Sequence, residues 1–152
     1  MSATLEAPTA VTGRFVWRDL MSTDPERSKA FFTALGYTIN PQFSDDTCAS
    51  VVFSDTIYAM LLSEARFKDF TPRAIADART STEAIICLGA ESRAEVDRIA
   101  DAALANGGSP VLDAQDHGFM YGRSFADPDG HIWEVMWMDP AMASGAKSPG
   151  DM

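Results

Sequence analysis

Glu134 stands where a sequence rarely leaves a charge. It lies within "HIWEVMWM", His131–Met138, an otherwise apolar run apart from His131. A strand that feeds a core is normally free of ions, because a buried ion must be paired, hydrogen-bonded or neutralised. Strand alternation puts Ile132, Glu134, Met136 and Met138 on one face, and His131, Trp133, Val135 and Trp137 on the other. The tryptophan face suits packing against a helix, which turns Glu134 to the opposite, concave side. Apolar residues on both faces imply a covered sheet, so the carboxylate should be at least partly enclosed.

Such a carboxylate could pair with a cation across the strand, ligate a metal, act as a general base, or accept hydrogen bonds from a bound ligand. The first role depends on the preceding turn, "DPDG", Asp127–Gly130, which suits type I geometry. A loop of even length sets Arg123 opposite Glu134; a three- or five-residue loop removes that pairing. The stretch "AQDHGFMYGRSF" adds the other polar candidates. His117 could titrate near neutrality, and Tyr121 and Arg123 share a strand face. His131 should point away from Glu134 and reads as structural.

The elements that must hold these side chains form two similar units. In the first, "GRFVWRDLM" reads as a strand over about 14–20. Thr23 or Asp24 then caps a helix, with Pro25 in its first turn and Glu26 completing a capping box. Gly36 ends that helix, and strands follow at about 37–43, 48–54 and 57–62. In the second, a strand over about 83–88 leads into a helix opened by Ser92 and Glu95, with an apolar stripe of Val96, Ile99, Ala100, Ala103 and Leu104. Strands follow at about 109–113, 119–126 and 131–138. Each unit reads strand, helix, three strands. Residues 63–82 join them, with a helical piece expected around 72–78. Residues 1–13 and 141–152 read as tails. Tandem βαβββ modules suggest an α+β domain over about 14–140, two curved sheets whose inner faces form a cup.

Composition limits the partners. The chain has 152 residues, 46% hydrophobic and 22% charged, with a net charge of −10. That acidity disfavours nucleic acid and anionic membranes and suits a neutral or cationic small ligand. No run of about 20 apolar residues could cross a membrane. The N-terminus carries no signal-peptide pattern. Cys48 and Cys87 lack a CxxC spacing and read as buried free thiols of a cytoplasmic protein.

The repeat and two segments resemble the vicinal oxygen chelate superfamily, which includes glyoxalase I, bleomycin resistance proteins and extradiol dioxygenases. "DPERSKAFFTALGY" is similar to that superfamily's first helix, and "DPDGHIWEV" to its closing hairpin. The likeness runs from about Phe15 to Asp139, nearest to a bacterial subgroup described as predicted lactoylglutathione lyases. It implies the glyoxalase/bleomycin resistance/dihydroxybiphenyl dioxygenase fold, a homodimer and a cupped site. The superfamily's metal enzymes use four ligand positions. Those positions are expected here at Trp17, Met60, Glu83 and Glu134. Glu83 and Glu134 would be the ligands of a divalent ion such as nickel, zinc, iron or manganese. Two functions are implied. One is a lyase-like enzyme acting on a small carbonyl substrate, with Glu134, Arg123, Tyr121 and His117 as catalytic candidates. The other is a non-catalytic binder of an antibiotic-type molecule, with a cationic aromatic as one candidate, in a pocket lined by Trp17, Phe53, Met60 and Met136.

Overall fold

A computed structural model describes residues 13–145, which divide into two compact units between Asp77 and Ala78. In unit 1, strand β1 (Val16–Met21) leads to helix α1 (Pro25–Ala34), then β2 (Thr38–Ile39), β3 (Cys48–Ser54) and β4 (Ile57–Leu62). The sheet order is β1-β4-β3-β2, with β1 and β4 parallel and the other pairs antiparallel. In unit 2, β5 (Ile85–Gly89) leads to α3 (Arg93–Ala105), then β6 (Ser109–Pro110), β7 (Gln115–Asp116), β8 (Met120–Ala126) and β9 (Ile132–Met138). Its order is β5-β9-β8-β6, with β7 also paired to β8 and β5 parallel to β9. Both units thus follow the expected α+β pattern. In unit 2 the strand expected at 109–113 is only β6, and β7 is a further short strand beyond that range.

The helices start where the sequence places them. Asp24 caps α1 by accepting from the Arg27 backbone N–H at 3.2 Å. Ser92 caps α3 by accepting from Glu95 N–H at 3.0 Å, and Glu95 accepts in turn from Glu91 N–H. Each helix buries one stripe on its sheet: Phe31 and Phe32 from α1, and Val96, Ile99, Ala100 and Ala103 from α3. Trp133, Val135 and Phe125 form the sheet side of the second core. Burying side chains of this size contributes about 1.5–3 kcal/mol each, which is what holds helix to sheet.

The joining segment differs from expectation. Its helical piece is α2 (Glu64–Phe67), followed by a 3₁₀ turn at Lys68–Phe70, whereas 72–78 is irregular. Ser63 caps α2 by accepting from Arg66 N–H. The strand expected at 37–43 is only β2, because Asn40 accepts from Gln42 N–H and turns the chain into a 3₁₀ turn at Pro41–Phe43. The expected tail 1–13 lies outside the described residues except for Gly13. Of 141–152, the described part begins as α4 (Pro140–Ala143). Among the described residues no helix is long and apolar enough to cross a membrane.

Candidate functional site

Five residues, not four, lie between β8 and β9. Ala126 pairs with Ile132, Ser124 with Glu134 and Arg123 with Val135. The cause is Asp127. Its Oδ1 accepts from the backbone N–H groups of Asp129 and His131 at 3.0 Å each, and its Oδ2 from the Trp133 indole N–H at 3.0 Å. These bonds enclose one more residue than a four-residue hairpin loop would. Burial pushes the Asp127 carboxyl upward, opposed by His131 and the Trp133 bond.

That single residue separates the candidates. Arg123 and Tyr121 face helix α3, on the opposite side of the sheet from Glu134. Arg123 donates to Asp101 at 2.7 Å and to Asp97 at 3.1 Å; the Tyr121 hydroxyl donates to Asp97 at 2.6 Å. The Tyr121 bond holds the Asp97 carboxyl down, and Asp97 in turn raises the phenol. The expected grouping of Tyr121 and Arg123 with Glu134 is therefore corrected. His117 is exposed in the turn between β7 and β8. Its turn joins β8 at Met120, four residues along the strand from the Ser124–Glu134 pair, roughly 13 Å at the strand rise. Beside it Arg93 binds Asp116 through two bonds at 2.9 and 3.0 Å, and lies over the Tyr121 and Trp137 rings at 5.2 Å. That bond holds the Asp116 carboxyl at about 2.

Glu134 itself lies, as alternation predicts, on the face away from α3. It borders a hollow of about 130 Å³ with Met120, Gly122, Ser124 and Met136. Leu112 and Asp113 close one side, held there because Ser124 Oγ accepts from Leu112 N–H at 3.1 Å. Glu134 is half-buried and has no ion-pair partner among the described residues. Its neighbour on β5 is Cys87, in direct register. Cys87 is exposed rather than buried, and burial and the Glu134 charge both raise its thiol. The free thiol at Cys48 is buried as expected.

Glu83 lies in a bend before β5 and is exposed. The strand begins at Ile85, so the position facing Glu134 is Cys87, four residues further on. Unit 1 repeats the arrangement. Asp19 stands five residues before the cap Asp24, as Cys87 does before the cap Ser92, and Asp19 pairs with Met60. The repeat therefore matches Asp19 and Cys87, not Trp17 and Glu83, to the strand neighbours of Met60 and Glu134. Counting from the caps in both units together carries that signal; counting in one does not. Trp17 pairs with Tyr58, rings 5.6 Å apart, and donates from its indole N–H to Asp19 at 3.1 Å. Met60 packs with Cys48 and Leu62, and Phe67 covers that cluster. Phe53 is corrected: it lies at a β3 bulge and packs edge-on against Phe32 and Tyr37 on the α1 side.

A hard divalent ion takes carboxylate, carbonyl and water oxygens. In unit 2 the strand neighbours of Glu134 are the Cys87 thiol and the Ser124 hydroxyl, which accepts from Leu112 N–H, and Asp113 lines the same hollow. Among the described residues no three His, Cys, Asp or Glu side chains converge.

Residues 14–54 match the family model described as Bleomycin resistance protein-like N-terminal. No curated protein matches the chain. Among solved structures, a glyoxalase-related enzyme from Fulvimarina pelagi is 21% identical with a TM-score of 0.68, covering 83% of this chain and 88% of its own. A glyoxalase/bleomycin resistance protein/dioxygenase family enzyme from Burkholderia phytofirmans is 10% identical with a TM-score of 0.67, covering 83% and 99%. A lactoylglutathione lyase from Agrobacterium tumefaciens is 19% identical with a TM-score of 0.61, covering 83% and 94%. At these identities the likeness establishes a shared fold.

Proposed function

We propose that this chain, a member of the vicinal oxygen chelate superfamily with the glyoxalase/bleomycin resistance/dioxygenase fold, binds a small cationic molecule through Glu134 without transforming it. The observation that carries this is the half-buried Glu134 carboxylate, which has no ion-pair partner among the described residues and shares its hollow with Asp113, Met120, Gly122 and Met136, while Arg123 is paired with Asp97 and Asp101. A fixed anion in a partly apolar hollow attracts a positive head group more strongly than it would in water. Met120 and Met136 offer adaptable, polarizable contact to its apolar part. At about 130 Å³ the hollow in unit 2 matches a head group rather than a whole drug-sized ligand. The acidic chain, at −10, favours the same partner over nucleic acid. A homodimer belongs to the same proposal, with light scattering as its check.

The test is thermal denaturation of the full chain with a quaternary-ammonium arene and with its neutral isostere. The expected result is a raised midpoint with the cation only. In Glu134→Gln the affinity for the cation should fall at least about tenfold, which is ~1.4 kcal/mol. Equal effects of cation and isostere, or an unchanged response in the variant, would reject Glu134 as the counter-charge.

A lyase-like activity is the second reading, favoured by the same unpaired carboxylate, which could accept a proton α to a carbonyl. Turnover of the methylglyoxal–glutathione adduct with added nickel or zinc, lost in Glu134→Gln, would replace the binder with the enzyme.

A further inference from the structure

The outer edge of the unit 2 sheet is interrupted beside Glu134. Ser109 and Pro110 pair with Ala126 and Phe125, and Gln115 and Asp116 pair with Gly122 and Tyr121. Four residues, 111–114, therefore stand against only two of β8, Arg123 and Ser124. A regular antiparallel ladder pairs residues one to one, so two are surplus and the segment leaves the ladder as a strap. All four of its residues are exposed, Leu112 by 63%.

One side chain sets where the strap lies. Ser124 pairs with Glu134, so the two side chains project to the same face of the sheet. Ser124 Oγ accepts from Leu112 N–H at 3.1 Å and draws the strap onto that face. Leu112 and Asp113 then wall one side of the hollow of about 130 Å³. The floor of the hollow is low at Gly122, which pairs with Met136 on the same face. The backbone there is not left-handed, and a Cβ would meet Val135 O at 3.5 Å and Met136 Cβ at 3.9 Å, ordinary contact distances. The fold therefore does not demand a glycine at this position. A side chain would instead take up the space that the hollow occupies.

The missing side chain opens the hollow, and the latched strap limits it. We infer that the strap held by Ser124 is a size filter for the Glu134 site, which admits a compact trialkylammonium head and rejects a bulkier one. Ser124 is the positioning residue, and Leu112 is the wall that selects. The inference rests on the cation reading of Glu134. A fixed apolar wall discriminates by about tenfold or more per methylene, and a wall free to swing away does not.

The experiment titrates the full chain with benzyltrimethylammonium and benzyltriethylammonium, which share ring and charge and differ in head size, and follows amide chemical shifts. Hydrogen exchange at the Leu112 amide, recorded without ligand, reads the latch itself. The wild type should bind the trimethyl head at least about tenfold more tightly, with shifts at residues 112–115, 120–124 and 134–136. In Ser124→Ala the preference should fall to within about threefold, as the wall is released, and the Leu112 amide should exchange faster. Ser124→Thr keeps the hydroxyl and should restore both. Gly122→Ala should weaken the trimethyl head at least about fivefold by filling the floor. A wild type that binds neither cation would remove the cation reading and this inference together. Equal binding of the two heads by the wild type, an unchanged preference in Ser124→Ala, no rescue by Ser124→Thr, or unweakened binding in Gly122→Ala would overturn the size filter alone.

Discussion

Asp127 and Glu134 are both partly or fully buried carboxylates of the closing hairpin, and they face opposite fates. Asp127 is buried and accepts three hydrogen bonds, including one from the buried indole of Trp133. Asp127→Ala should cost about 2–4 kcal/mol, because it strands a buried donor and frees the turn amides; chemical denaturation would measure it. Glu134 has no such bonds to lose, so Glu134→Gln should change stability by under about 0.5 kcal/mol while altering ligand affinity. Asp116 adds a pH signature. Its folded value of about 2 lies below the ordinary 3.8 because of the bonds from Arg93. A depressed carboxylate stabilises the fold above its unfolded value, and that contribution is lost as pH falls from about 4 through about 2. Replacing Asp116 by Asn should flatten the acid limb of a stability-against-pH curve in that window.

At the scale of elements, the short strands β6 and β7 and the five-residue turn decide what Glu134 sees. Because side chains alternate with period 2, moving the pairing by one residue sends Arg123 to a different neighbour and leaves Glu134 opposite Ser124. Arg123 then serves the α3–β8 interface. Arg123→Ala should cost no more than about 1 kcal/mol, since its partners are substantially exposed. Ligand binding at Glu134 should be unchanged; a loss of binding in this variant without a loss of stability would restore Arg123 to the site. The helix caps behave as ordinary local structure. Ser92→Ala should lower stability by about 1 kcal/mol by removing the acceptor for Glu95 N–H, read as a shifted denaturation midpoint.

Across the whole molecule, the net charge of −10 acts on whatever approaches. It draws cations toward the surface, and salt screens that attraction over about 10 Å at 0.1 M. Affinity for the cationic probe should therefore fall as salt rises. Titrations at two ionic strengths test this. The two units carry the same element order and the same cap-to-strand spacing, yet only the second holds a carboxylate on its fourth strand: Met60 stands where Glu134 stands.

The sequence alone determined what local and periodic forces control. The cap at Ser92, a helix start at Thr23 or Asp24, the buried helix stripes, strands at 48–54 and 57–62, the tandem modules and the face of Glu134 all follow from spacing and residue type; the structure settles that Asp24 is the cap. Tertiary structure decided what depends on register and on the order of strands. Asp127 reached two backbone amides and an indole and so lengthened the turn by a residue. β5 began at Ile85 and brought Cys87 beside Glu134. The bulge at Phe53 sits on the α1 side of its sheet, where Phe32 and Tyr37 receive that ring. These outcomes turn on single residues of offset between strands distant in the chain, and the period of an isolated strand carries no information about which partner it will meet or in what phase.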